Sequence, residues 1–180
     1  MKNFINIYKI QLLISLTLAV ALIALPVVKT PLNIALVFLF SILGTFILDS
    51  DYFIHAYLVE TDTPFSKNLR AYIKHKDFFG AITYMNLKGE EVKEKTLHSG
   101  LFQILFALFC IFVAYSDVYY PVKVFIISIF ANSIYKVIET YFTKDINEWF
   151  WSFKTAPDKN GFILYLVAIS SIFGYCLFLI

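Results

Sequence analysis

The sequence predicts an all-α fold: a polytopic membrane helix bundle of about five spans, with a helical cytoplasmic hairpin between spans two and three. Three observations carry this expectation. The 180-residue chain is 59% hydrophobic and only 16% charged, with a mean hydropathy of +0.73. Soluble domains run near 45–50% apolar and about 25% charged, and a domain of this size has no interior large enough to hide the excess. The apolar residues are gathered into long runs separated by polar stretches. Finally, the basic residues crowd the segments on one side of those runs, as short cytoplasmic loops do.

The runs cover residues 10–28, 31–48, 98–115, 119–138 and 162–180. A bilayer core is roughly 30 Å thick and takes about 20 helical residues to cross. Within it the backbone must satisfy its own hydrogen bonds, which makes helices the natural form. The first two runs carry no charge, the third is polar only at His98 and Gln103, and the fourth is interrupted by Lys123, Asn132 and Lys136. The first run is longer than the apolar region of a signal peptide, and we read it as a retained helix. Cys110 and Cys176 both lie in apolar runs, where a free thiol behaves as a small hydrophobe, so no disulfide is expected.

With five spans, one side of the membrane receives Lys2, Lys9, Lys67, Arg70, Lys74, Lys76, Lys88, Lys93, Lys95, Lys144, Lys154 and Lys159, with Lys136 close to it. The other side receives Lys29 and Lys123. This asymmetry places the N-terminus in the cytoplasm and the C-terminus outside, in the plasma (inner) membrane. The net charge of +2 gives no reason to propose nucleic acid as a partner.

Two inside segments, 49–97 and 141–161, connect the spans. In the first, Leu69, Tyr72 and Ile73 and then Phe78, Phe79 and Ile82 recur at helical spacing, and Gly89 marks a turn. The simplest reading is a solvated helical hairpin on the membrane surface. The second holds Trp149, Phe150, Trp151 and Phe153, an aromatic cluster suited to the headgroup layer. The chain shows no internal repeat, so residues 1–180 form one domain.

Ionisable groups in or beside a span are costly and tend to mark function. Asp49 and Asp51 end the second run, and His55 follows Asp51 by one helical turn. His98 opens the third run, and Asn132, Lys136 and Glu139 share a face of the fourth. These positions all fall near the cytoplasmic boundary. Carboxylate and imidazole are usual ligands of Zn²⁺ and related divalent ions, and a bound metal can generate a nucleophile from water. Equally, Asp49 and Asp51 can cap a helix end, His98 can be an interfacial histidine, and Lys136 can snorkel or pair with Glu139. His75, inside a basic stretch, reads as a solvated side chain.

The stretch Leu48-Asp49-Ser50-Asp51-Tyr52-Phe53-Ile54-His55 resembles the D-x-D-H segment of YdjM-like, membrane-bound, metal-dependent hydrolases. Leu97-His98-Ser99-Gly100 resembles that family's H-S pair at the start of a helix, and its H-x-x-x-D motif would fall on Asn132 to Lys136. Asn147-Glu148-Trp149-Phe150-Trp151 resembles an N-x-W-F-W ending of a small-protein branch. The resemblance covers roughly residues 44–151. It implies a divalent metal, zinc among the candidates, on Asp49, Asp51 and His98; in an active enzyme His98 and His55, the latter as fourth ligand or general base, would be the catalytic residues. The chain departs from the pattern at Tyr52 and Asn132, where the family has histidine, and at Lys136, where it has aspartate. A lysine beside a cation would be repelled by about 4 kcal/mol per unit-charge pair at 4 Å and an effective dielectric near 20. Two outcomes follow. Lys136 takes the metal's place and pairs with Asp49 and Asp51, or His55 completes a set of Asp49, Asp51, His55 and His98.

These departures favour a degenerate relative that works as an interaction or scaffold protein at the cytoplasmic face. Its partners would be the bilayer, a cytoplasmic protein bound through segment 49–97, and further copies of itself packed on Ser170 and Gly174, a small-x-x-x-small pair. The alternative is an active metal-dependent hydrolase acting on a phospholipid or other membrane-associated substrate. No P-loop, nucleophile-elbow or zincin motif is present, and no pair of broken helices points to a transport site.

Overall fold

A computed structural model describes residues 2–24, 30–92, 95–143, 145–153 and 155–180. Residues 25–28 of the first predicted run, and Lys29, Lys93, Lys144 and Lys154, lie outside the described residues. Among the described residues all regular structure is helical. The helices are α1 (Lys2–Ile23), α2 (Pro31–Ile47), α3 (Ser50–Ile54), α4 (Pro64–Lys74), α5 (Phe78–Lys88), α6 (Gly100–Tyr115), α7 (Tyr120–Thr143) and α8 (Lys159–Leu179). A π-helical turn, His55–Val59, extends α3.

Helix starts are written locally. Thr30, Thr63, Asp77, Ser99 and Asp158 each turn a side-chain oxygen to the backbone N–H three residues on, at 2.8–3.4 Å. This satisfies one of the donors that a helix N-terminus leaves open. Pro31 and Pro64 follow their caps at the first helical position, where the missing N–H costs nothing. After α4, Lys76 takes a left-handed φ of 58°, which ends the helix and redirects the chain into α5.

Helices α1, α7 and α8 are long and apolar enough to cross a membrane. α2 joins them as a fourth when taken with α3 and the π-turn, from which it is bent by 49°. This break at Leu48–Asp49 falls where the second apolar run ends. It lies at the end of the bundle, and it carries the chain off the bundle into α4 and α5. α6 is apolar but shorter, at 16 residues. α7 lies at the centre, against α1, α2, α6 and α8. The core around it includes Val37, Ala107, Cys110, Val124, Phe130 and Ile169. Cys110 and Cys176 are both buried and free. Large apolar side chains face outward all round: Leu13 is 63% exposed, Phe112 69% and Leu164 71%, the surface a lipid-facing bundle presents.

Where α1 and α2 come closest to α7, the contact is polar and small. Ser15, Ser41, Thr45, Ser128 and Asn132 are buried there, joined by hydroxyl and amide hydrogen bonds of 2.6–3.0 Å. A tyrosine layer closes the far end. Tyr119 donates to Asn33, Tyr120 donates to the Leu22 carbonyl at 3.0 Å, and Tyr115 meets Tyr175.

At the near end, α4 and α5 pack on each other with their own core of Phe65, Leu69, Ala81, Met85 and Val92, joined by Ala56. Phe65 stacks on Tyr84 with ring centroids 5.4 Å apart. Of the six apolar residues predicted to share a face here, Leu69, Tyr72, Ile73 and Ile82 join this core, while Phe78 and Phe79 are exposed. The Trp149 cluster also divides. Trp149 and Phe150 are buried with Val137 and Phe162, and only Trp151 and Phe153 keep the exposure that a headgroup anchor needs.

Candidate functional site

The site forms at the end of the bundle where α2 breaks, α6 begins and α7 ends. Asp51, in the first turn of α3, is 2% exposed. Its Oδ1 accepts the backbone N–H of Thr96 at 3.0 Å, and its Oδ2 accepts those of Leu97 at 2.8 Å and His98 at 3.0 Å. Oδ2 also meets His98 Nδ1 at 3.2 Å. The bend at 96–99 is thus wrapped around one carboxylate, a concave nest of amides that suits an anion. The bend is held from its other side too. Trp151 Nε1 donates to the Lys95 carbonyl at 2.9 Å, and the Gly100 N–H donates to the Trp149 carbonyl at 2.8 Å. The aromatic motif at 149–151 therefore clamps the turn that presents His98. Ser99 completes the turn by capping α6 and donating to the Thr96 carbonyl at 2.7 Å.

Asp51 and His98 are the two predicted ligands brought together. Asp49 stands apart and accepts the Tyr8 hydroxyl from α1. His55 goes elsewhere: the π-turn buries it beside Phe65, 3.7 Å from Glu60, with its Nδ1 unpartnered. Asn132 lies one turn deeper than Lys136, and its amide donates to Ser15 Oγ at 3.0 Å and the Ser128 carbonyl at 2.9 Å. Among the described residues, no three of His, Cys, Asp and Glu form a group able to hold a metal ion. Asp51 suits one poorly on its own account, because its two oxygens already carry three amide bonds and the His98 ring.

The expected pairing of Lys136 with Asp49 and Asp51 is not what forms. Lys136 Nζ lies 2.7 Å from Glu139 Oε2, one turn along the same helix. The reason is local. Glu139 is within reach at i+3 without any tertiary arrangement, whereas Asp51 already accepts three amides and meets the His98 ring. A pair of this kind, with both partners partly exposed, is worth about 0–1 kcal/mol. Lys136→Met is therefore expected to shift unfolding in detergent by less than about 1 kcal/mol. A loss of about 3–5 kcal/mol, the cost of breaking a buried pair, would restore the metal-replacing role.

Lys136 and Glu139 still share a site with His98. A cavity of about 50 Å³ is lined by His98, Lys136, Glu139, Glu148, Lys95 and Tyr52, with Thr140 and Trp149. Lys95 is 7% exposed and sits over the Tyr52 ring, 5.3 Å from its centroid. On the other side of Tyr52, a cavity of about 40 Å³ is bordered by Tyr8, Gln11, Asp49, Asn86 and Lys136. Tyr52 is the wall between them, and Gly89 lets it lie there: a Cβ at Gly89 would stand 2.6 Å from the Tyr52 hydroxyl.

Sequence reasoning passed over Tyr8, Gln11 and Glu148 and counted Lys95 only as a topology charge. The single available signal was a polar residue at the head of an apolar run, as at Tyr8 and Gln11. With Nδ1 committed to Asp51, His98 has Nε2 left for chemistry, the arrangement in which a carboxylate fixes the tautomer of a base. Compared with protein-family models, with curated proteins and with solved structures, the chain matches none.

Proposed function

We propose that the chain is a five-span protein of the plasma membrane that acts as an interaction or scaffold protein, with a site degenerate relative to YdjM-like hydrolases. α1, α2, α6, α7 and α8 are the spans. The N-terminus and segments 49–97 and 141–161 lie inside, as the distribution of Lys and Arg suggests. The observation that carries the reading is Asp51: its carboxylate serves as the fastener of the 96–98 turn, which leaves it little capacity as a ligand. The surface offered to a cytoplasmic partner is the α4–α5 layer, whose exposed apolar residues include Phe78, Phe79 and Leu87. Gly174 supports self-association, since a Cβ there would meet nothing within 4 Å in its own chain.

Metal content by mass spectrometry tests this, on protein purified without chelator beside an Asp49→Ala, Asp51→Ala control. Metal at background level in both is expected. Near-stoichiometric zinc or manganese that the control loses would sink the degenerate reading. The second reading, a hydrolase of a phospholipid or other membrane-associated substrate, is favoured by one feature. His98, held by Asp51, borders a cavity lined also by Lys95, Lys136, Glu139 and Glu148, so an oriented imidazole and cations suited to a phosphate share one space. Release of headgroup from mixed phospholipid vesicles that His98→Gln abolishes would establish it.

A further inference from the structure

Beside the small polar cavity at Gln11 lies a larger apolar one of about 310 Å³, within the roughly 300–1,000 Å³ range of ligand pockets. It opens where α1 begins and α2 ends, with α5 laid across them, and its walls include Phe46, Phe53, Ile73, Phe78 and Ala81. Tyr8, Asp49, Ile82 and Met85 line both spaces, so the two adjoin: an apolar slot with a small polar cavity at one end.

The polar end holds an unpaired donor. Gln11 is 2% exposed and its Nε2 has no hydrogen-bond partner, and a buried donor left so costs about 1–3 kcal/mol. Asp49, which lines the same end, accepts the Tyr8 hydroxyl. Lys136 borders the same end, and after its bond to Glu139 an ammonium group keeps further N–H donors.

We infer that this slot binds a glycerophospholipid of the surrounding bilayer, one acyl chain lying between α5 and the α1–α2 ends, with ester or phosphate oxygens at Gln11 and Lys136. The inference rests on the bundle spanning a membrane, and it is independent of whether His98 is catalytic. An acyl chain matches the apolar walls, and acceptor oxygens meet the unpaired amide and the lysine. The position, at the mouth of a membrane-spanning helix pair, is where a bilayer supplies such a molecule.

The test uses the full chain in phosphatidylcholine vesicles containing a small fraction of phosphatidylglycerol with a diazirine on one acyl chain. After irradiation, adducts are mapped by peptide mass spectrometry. Adducts are expected on Tyr8, Ala81 or Met85, which are buried and reachable from the slot. Ile82→Trp, which fills it, should abolish them. Gln11→Leu should cut them about fivefold, the worth of roughly one hydrogen bond. Leu105→Trp, on an exposed face of α6, should leave them unchanged. Adducts confined to outward positions such as Leu105 and Phe112 in the unaltered protein would overturn the inference without recourse to any variant. Slot adducts that persist in Ile82→Trp or stay at full level in Gln11→Leu would overturn it as well. Failure of the chain to enter vesicles, read separately by flotation, would instead overturn the membrane reading on which it stands.

Discussion

Asp51→Ala is expected to destabilise the protein by about 3–5 kcal/mol, because each buried donor left unpaired costs roughly 1–3 kcal/mol. The residue holds three consecutive amides of the 96–98 turn and the His98 ring. Those groups lie 45–47 residues away in sequence, so the loss uncouples α3 from the start of α6. The readout is at hand: Trp151 donates to the Lys95 carbonyl in the same turn, and its fluorescence should report local release during denaturant titration in detergent. Asp51→Asn keeps one acceptor oxygen and should cost about half as much. His98→Ala removes only the ring bond and should cost no more than about 1.5–3 kcal/mol, the range for a hydrogen bond to a charged group. If Asp51→Ala were no worse than His98→Ala, the amide contacts would carry no energy, and Asp51 would again be available as a ligand.

The second large effect concerns the bundle itself. Gly44→Ala is expected to destabilise by about 1–3 kcal/mol, the usual cost of overpacking, and Gly44→Leu to prevent correct assembly. A Cβ at Gly44 would stand 2.8 Å from Ser128 Cβ and 3.1 Å from the Ile129 backbone nitrogen. Backbone atoms cannot step aside as a flexible side chain can. Small residues at such crossings let membrane helices approach closely, and here the approach brings the hydroxyls of Ser15, Ser41 and Ser128 within bonding distance. The sign of the change makes the test sharp. At an unconstrained helical position, alanine in place of glycine stabilises by roughly 0.5–1 kcal/mol. A gain in thermal stability would therefore show that α2 and α7 are not in close contact.

Both predictions concern positions at which the sequence shows a residue type but not its use. Asp51 stands in a D-x-D pattern that reads equally as a metal ligand, a cap or an amide acceptor. The choice depends on which atoms arrive from 96–98, and no local spacing encodes that arrival. His55 illustrates the same limit. Its N–H keeps the regular i+4 bond to the Asp51 carbonyl, yet its ring is buried against Phe65 near Glu60 while the Asp51 carboxylate meets His98. Lys136 and Glu139, by contrast, pair within one helix, a partner legible in the sequence because i+3 spacing is a local quantity.

What the sequence determined alone is therefore what depends on short-range chemistry. The long apolar runs call for helices, which pair their backbone polar groups within the segment, and the caps at Thr30, Thr63, Asp77, Ser99 and Asp158 set where five of the helices begin. Tertiary structure alone decided the rest. It bent the chain by 49° after α2, drew Trp149 into the interior, turned Asp51 into a fastener and left an open slot between α5 and the ends of α1 and α2. The physical reason is common to all four. A side chain's conformation is limited by its neighbours in sequence, but the fate of a carboxylate, an indole or an amide is set by which partner reaches it. Those partners come from helices that only packing brings together.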